Sequence, residues 1–113
     1  MQNRIIINKK EIQEVINKIR DSKNIIFIPR NDESGKNPFS FFSEIGIDFT
    51  DAINFIKGLS YKDYQYTLLD SKNKFTFMYV FNKSIRNVKS YIKIGFKSDK
   101  TVVISFHKKM FED

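Results

Sequence analysis

The sequence predicts an α+β fold in which N-terminal helices pack on one face of an antiparallel β-sheet meander. Apolar residues recur at helical spacing in the first half of the chain and alternate with other residues in much of the second half. Helices followed by consecutive strands are typical of this fold class. The 113 residues contain neither repeats nor an evident linker, so we expect residues 1–113 to form a single domain.

Three helices are predicted from capping residues and apolar stripes. Residues 12, 15, 16 and 19 are apolar at helical spacing after Asn8, which is a suitable N-cap. A phenylalanine-rich segment that ends at Gly46 predicts a second, short helix. Asp48 and Gly58 are expected to begin and end the third, and one more helical turn follows.

Five strands are predicted from short apolar or alternating runs. The first, residues 25–28, precedes a polar loop that begins at Arg30. The other four are Tyr64–Leu69, residues 74–82, Val88–Lys97 and residues 101–107. Alternation in residues 74–82 places Phe75 and Phe77 on one face and Met78 on the other. A strand that is apolar on both faces is expected at the centre of the sheet.

The last two predicted strands form a hairpin whose two faces differ. If Phe96 pairs with Val102, the same register places Tyr91 opposite His107, the only histidine in the chain. One face then comprises Ile92, Ile94, Phe96, Val102, Ile104 and Phe106. The other face comprises Tyr91, Lys93, Ser105 and His107. We therefore expect a phenol, an ammonium and an imidazole on one solvent-facing surface, where they suit phosphate chemistry.

Charge and cysteine content narrow the function classes. Twenty Lys and Arg against thirteen Asp and Glu give a net charge of +7, which favours nucleic acid or an acidic protein as partner. The codon bias of an A/T-rich genome is an alternative source of the lysines.

The lack of cysteine excludes disulfides, thiolate zinc sites and cysteine nucleophiles, and we predict neither a metal nor a cofactor. No signal peptide or run of about 20 apolar residues is evident, so we expect a cytoplasmic protein without membrane contact.

Further basic and aromatic residues extend the predicted site. Arg86 and Lys89 lie in the connection just before the hairpin, and Lys36 lies in the loop that begins at Arg30. Tyr66 has polar neighbours on its strand, which favours stacking on an RNA base over burial in the core. The alternative interpretation is an ordinary wet sheet face, on which such polar residues are common.

Several segments resemble toxins of the MqsR type, which are RelE-like endoribonucleases of type II toxin–antitoxin pairs. The similar segments are Phe27-Ile28-Pro29-Arg30, IGIDFTDAINFIKGLS at residues 45–60 with Asp63-Tyr64 after it, Val80-Phe81, Tyr91-Ile92-Lys93 and Ile104-Ser105-Phe106-His107. The resemblance implies a RelE-like fold, metal-independent cleavage of mRNA and growth arrest. It also implies a cognate antitoxin that represses the operon, and we expect a DNA-binding helix-turn-helix protein.

The resemblance also assigns roles to individual positions. The catalytic tyrosine of the family corresponds to Tyr91, and its C-terminal catalytic lysine corresponds to His107, which is a sound acid–base substitute. Tyr66 and Met78 stand where the family has a catalytic lysine and a catalytic glutamine. The candidate cations for restoring the lost positive charge are Lys93, Lys62 and Arg86.

These observations lead to one main hypothesis and two alternatives. The main hypothesis is an endoribonuclease toxin in which a 2′-hydroxyl attacks the adjacent phosphate. His107 acts as general acid or base, Tyr91 orients the phosphate, and Lys93 and Arg86 stabilise the phosphorane. Lys89, Tyr66, Lys62 and Arg30 are expected to bind RNA. The first alternative is a non-catalytic RNA- or protein-binding module of the same fold, and the second is an inhibitor encoded by a phage or plasmid.

Overall fold

The computed structural model describes residues 4–30, 35–70, 72 and 75–110. The helices are α1 (Lys9–Asp21), α2 (Pro38–Ile45) and α3 (Phe49–Lys57), and a 3₁₀ turn (Tyr61–Asp63) follows them. The strands are β1 (Arg4–Ile5), β2 (Ile25–Phe27), β3 (Tyr64–Leu69), β4 (Phe77–Ile85), β5 (Val88–Lys97) and β6 (Lys100–Lys108). The predicted α+β class, with helices before a four-stranded meander, is confirmed.

The helix ends follow the predicted capping residues. The Asn8 side chain accepts a hydrogen bond from the Glu11 amide at 2.8 Å, which satisfies one of the free amides at the start of α1. Asp48 and Asp51 form a reciprocal capping box at the start of α3. Gly46 ends α2 with a φ of 75°, a left-handed conformation that strains residues with a Cβ.

The strands form one six-stranded sheet in the order β1-β3-β4-β5-β6-β2. Strands β3 to β6 are a meander of antiparallel neighbours, and β4 and β5 lie at its centre, as predicted for the strand that is apolar on both faces. Strand β2 pairs in parallel with β6, so the sheet is mixed rather than wholly antiparallel. Strand β1 was not predicted, because two residues are too few to show alternation.

All three helices pack on one face of the sheet. Their buried apolar residues contact a row of sheet residues that includes Phe81, Ile92 and Phe106, each fully buried. The opposite face carries a smaller apolar cluster, which comprises Leu68, Met78, Val80, Val102 and Ile104. The sheet therefore buries apolar side chains on both faces. The second face, which the helices do not cover, has room for a site.

The predicted register of the hairpin is correct at one end and wrong at the other. Tyr91 pairs with His107, as predicted, but Phe96 pairs with Thr101 rather than Val102. The partner of Lys93 is Ser105 and the partner of the next residue is Val103, so Ile104 is the extra residue of a β-bulge.

The bulge also changes which residues share a face. Val102 and Ile104 belong to the cluster opposite the helices, whereas the prediction placed them in the helix-facing core. Val103 takes their place in that core beside Phe106. A strict two-residue alternation cannot represent the extra residue, and this is the physical reason for the error.

The start of β4 departs from its prediction as well. The strand spans Phe77–Ile85 rather than residues 74–82, and residue 74 lies outside the described residues. Thr76 has a φ of 60°, which breaks the alternation immediately before the strand. As a result Phe75 packs on the cluster that contains Met78, and not on the face that Phe77 occupies.

Candidate active site

A cavity of about 270 Å³ lies on the sheet face opposite the helices. The paired strands β5 and β6 contribute four of its lining residues, Tyr91, Lys93, Ser105 and His107. Lys93 pairs directly with Ser105, and His107 is the next residue but one along β6 on the same face. Such diagonal neighbours have side chains that begin about 7–8 Å apart, close enough to flank a single phosphate group.

His107 lies at the wall of this cavity rather than on an open surface. Its side chain is only 7 % exposed, so the expectation of a solvent-facing imidazole is wrong. The Tyr91 ring stacks on the imidazole, with ring centroids 5.2 Å apart and planes inclined by 20°. Tyr91 therefore fixes the orientation of the imidazole and shields one of its faces from water.

The hydrogen bonding of the imidazole defines which nitrogen carries the proton. Nδ1 of His107 lies 2.8 Å from the carbonyl oxygen of Lys108. Because a carbonyl oxygen only accepts hydrogen bonds, Nδ1 must donate, and in the neutral ring the lone pair resides on Nε2. Such an imidazole can accept a proton at Nε2 without changing its orientation.

The surroundings of the imidazole favour its neutral form. Burial is the largest cause and lowers the pKa of His107 below its ordinary value of 6.5. The hydrogen bond to the Lys108 carbonyl raises this pKa, whereas the positive charges of Lys36, Arg30 and Lys93 lower it. The ring is therefore mainly neutral at neutral pH, and Nε2 is available as a base.

Cations surround the imidazole. The basic pocket, as we name this cavity, has five cationic and no acidic side chains among the described residues that line it; the cations are Arg4, Arg30, Lys36, Lys93 and Lys109. Burial lowers the pKa of Lys93, the charges of Arg30 and Lys36 lower it further, and Asp70 opposes them. Arg30 reaches the pocket from the segment after β2 and its guanidinium lies 3.4 Å from the Ser105 hydroxyl. This arrangement suits a phosphate group.

Tyr66 lines the basic pocket, but an arginine occupies one face of its ring. The guanidinium of Arg4 lies over the Tyr66 ring, 4.2 Å from the centroid. This cation–π contact ties the edge strand β1 to β3 and holds a positive charge at the pocket. Arg4 covers one face of the Tyr66 ring, so stacking on an RNA base, which stays a prediction, would use the other face.

Comparison with known proteins assigns the family. Residues 14–108 match the family model described as motility quorum-sensing regulator, toxin of MqsA. The chain belongs to the MqsR toxin family. Its membership makes it a toxin of a toxin–antitoxin pair, with a cognate antitoxin as partner. A search of curated proteins found no match to the chain.

Three residues that the sequence analysis assigned to the site of this MqsR-family toxin do not line the basic pocket. Arg86 lies in the tight turn between β4 and β5, and its guanidinium packs against Gly46 between α2 and α3. Lys62 is exposed in the 3₁₀ turn, and Lys89 is exposed on β5. Proximity to the hairpin suggested Arg86 and Lys89, and Lys62 was considered as a replacement for a lost positive charge, but the fold directs Arg86 towards the helices.

The toxin's basic pocket also contains residues that the sequence analysis missed. Arg4, Lys109 and Met110 line it. Lys109 is two residues after His107, just past the end of β6. Strand alternation could therefore have placed the two side chains on the same face of the sheet. Arg4 gave no such signal, because its strand has only two residues and pairs with β3 through a contact distant in sequence.

Metal-ligand clusters and membrane-spanning helices are two further features considered for this MqsR-family toxin. Within residues 4–30, 35–70, 72 and 75–110, no three side chains of the types His, Cys, Asp or Glu cluster as metal ligands do. In the same residues, none of the helices has the length and apolar character that crossing a membrane requires.

Proposed function

We propose that this toxin is a metal-independent endoribonuclease that cleaves mRNA in the cytoplasm by attack of a 2′-hydroxyl on the adjacent phosphate. The observation that carries this proposal is the position of His107, which lines a pocket rich in cations and whose Nδ1 lies 2.8 Å from the Lys108 carbonyl oxygen. A base beside several cations is the combination that this reaction requires.

His107 is proposed as the general base. Its Nε2 accepts the proton of the 2′-hydroxyl while that oxygen forms a bond to phosphorus. The imidazolium that results is stabilised because Nδ1 already donates to the Lys108 carbonyl at 2.8 Å. Tyr91, stacked on the ring, keeps Nε2 directed at the substrate.

Lys93 and its cationic neighbours are proposed to complete the reaction. Lys93, Arg30 and Lys36 balance the negative charge that develops on the phosphorane oxygens. The lowered pKa of Lys93 also makes its ammonium a better acid, so it can donate a proton to the 5′-oxygen as the P–O bond breaks. The products are a 2′,3′-cyclic phosphate and a 5′-hydroxyl. Arg86, which lies against Gly46, has no part in this mechanism.

The antitoxin would counter this activity in the cell. We propose a DNA-binding helix-turn-helix protein that neutralises the toxin and represses their shared operon. The net charge of +7 favours both RNA and an acidic surface on that partner.

The proposal is tested by the products of the purified toxin acting on RNA in the presence of EDTA. We expect cleavage to persist in EDTA and to give fragments with 2′,3′-cyclic phosphate and 5′-hydroxyl ends. A substrate with deoxyribose on the 5′ side of the cleaved bond should not be cut there, because it lacks the attacking oxygen.

Two outcomes of this experiment contradict the proposal. Cleavage that EDTA abolishes, or that continues at the deoxyribose position, rules out the mechanism. Salt-dependent binding without any product would instead favour the non-catalytic RNA-binding module.

A further inference from the structure

A second cavity adjoins the basic pocket on the same sheet face. It has a volume of about 570 Å³ and shares Arg30 and Lys93 with the basic pocket. Met78, Val102 and Ile104, all buried, form part of its apolar lining. A group bound in the basic pocket therefore has an apolar surface directly beside it.

An aromatic ring forms one side of the second cavity. Phe75 packs closely against Gly95, since a Cβ built on Gly95 would approach the Phe75 ring to 2.8 Å. Any residue larger than glycine there would displace the ring, because real Cβ atoms do not approach so closely. The close contact thus fixes the position of Phe75 above β5.

Two features of the backbone before β4 determine the position of Phe75. Thr76 has a φ of 60°, which is unfavourable for a β-branched residue. The Asp70 carboxylate accepts hydrogen bonds from the amides of Lys72 at 3.0 Å and of Phe75 at 3.1 Å. The second of these bonds holds the backbone of Phe75 close to Asp70.

The rim of the second cavity is mainly cationic. Its charged lining residues are Arg30, Lys72, Lys93, Lys97 and Asp70. Four cations against one carboxylate favour a ligand that is itself negatively charged. An apolar floor, an aromatic ring and a cationic rim together match a nucleotide, since a base has apolar faces and carries a phosphate.

We propose that the second cavity binds the base of the nucleotide next to the phosphate held in the basic pocket. This inference rests on the proposed ribonuclease function and adds a determinant of which RNA is bound. The base stacks on Phe75 and contacts the Met78 side chain, while Lys97 and Lys72 contact the flanking phosphate.

The test uses the methionines as reporters of the two cavities. Of the three methionines, Met78 lines the second cavity and Met110 lines the basic pocket. We would label the methionine methyl groups with ¹³C and titrate a 2′-deoxy trinucleotide, which cannot be cleaved by the proposed mechanism. The expected result is a shift of both methyl signals, with the Met78 signal moved upfield by the ring current of the base.

Two variants provide a matched comparison for the affinity. Phe75→Ala should weaken binding of the trinucleotide about tenfold or more, because it removes the stacking ring. Phe77→Ala removes a ring of the same size two residues away, from the cavity on the helix side of the sheet, and should change the affinity less than twofold.

The outcomes separate this inference from the proposed function. A shift of Met110 without a shift of Met78, or equal affinities for Phe75→Ala and Phe77→Ala, overturns base binding in the second cavity and leaves the basic pocket as an RNA site. The absence of any shift at both methyl groups means that the basic pocket does not bind RNA, so the proposed function fails with it.

Discussion

Replacement of His107 by alanine is expected to lower the rate of RNA cleavage by about 10²–10⁴-fold, the usual contribution of a general base. The variant loses the Nε2 lone pair but keeps the cations that bind the phosphate. Binding of uncleavable RNA should therefore change much less than the rate. Single-turnover cleavage assays and growth inhibition on expression would measure the loss.

A control is needed because His107 is buried next to the core residue Phe106. Lys10→Ala removes an exposed cation of α1, on the face of the sheet opposite the basic pocket, and should retain the wild-type rate. The thermal unfolding of each variant would show that both are folded. A folded His107→Ala protein that cleaves RNA and arrests growth like the wild type would refute the assignment of the base.

Replacement of Phe106 by alanine is expected to lower the free energy of unfolding by about 3–5 kcal/mol. Phe106 is fully buried and its ring contacts Phe27, Phe41 and Phe42, with the Phe42 centroid at 4.9 Å in an edge-to-face arrangement. Removal of the ring leaves a cavity where α2 packs on β6. Because such a loss is a large part of the stability of a typical domain, the variant should unfold at a much lower urea concentration.

Phe39 offers a matched comparison within the same aromatic cluster. It is 44 % exposed and contacts Phe27 and Phe42, so Phe39→Ala should cost far less than Phe106→Ala. Phe106→Leu would give a measurable intermediate loss if the alanine variant does not fold. Equal losses for Phe39→Ala and Phe106→Ala would contradict the described packing of β6 against α2.

Sequence patterns predict those features of the fold whose cause lies within a few residues of the chain. The caps at Asn8 and Asp48 were predictable because a capping side chain bonds to amides two or three residues away. The pairing of Tyr91 with His107 was predicted correctly because the bulge at Ile104 offsets an error of one residue in the assumed register near the turn, where Phe96 pairs with Thr101. The bulge itself was not predictable, because strict alternation has no place for an extra residue.

The candidate site was predictable where it lies on the hairpin and not where distant segments meet it. Tyr91, Lys93 and His107 share a face because they occupy neighbouring positions on β5 and β6. Arg4 reaches the same pocket from the other end of the chain through its contact with Tyr66. Arg86 does not share this pocket, because a turn residue can project to either side of a sheet and its guanidinium lies near Gly46.

The state of the single histidine is the most direct test of the account. We would follow the ring ¹⁵N signals of His107 by NMR across a pH titration, and no other histidine complicates the spectrum. Because burial lowers the pKa, the ring should be less than half protonated at pH 6.5, the ordinary pKa of histidine, and reach half protonation only at lower pH. The signals should also show a protonated Nδ1 and an unprotonated Nε2. A pKa at or above 6.5, or a proton on Nε2 in the neutral ring, would contradict the proposed base.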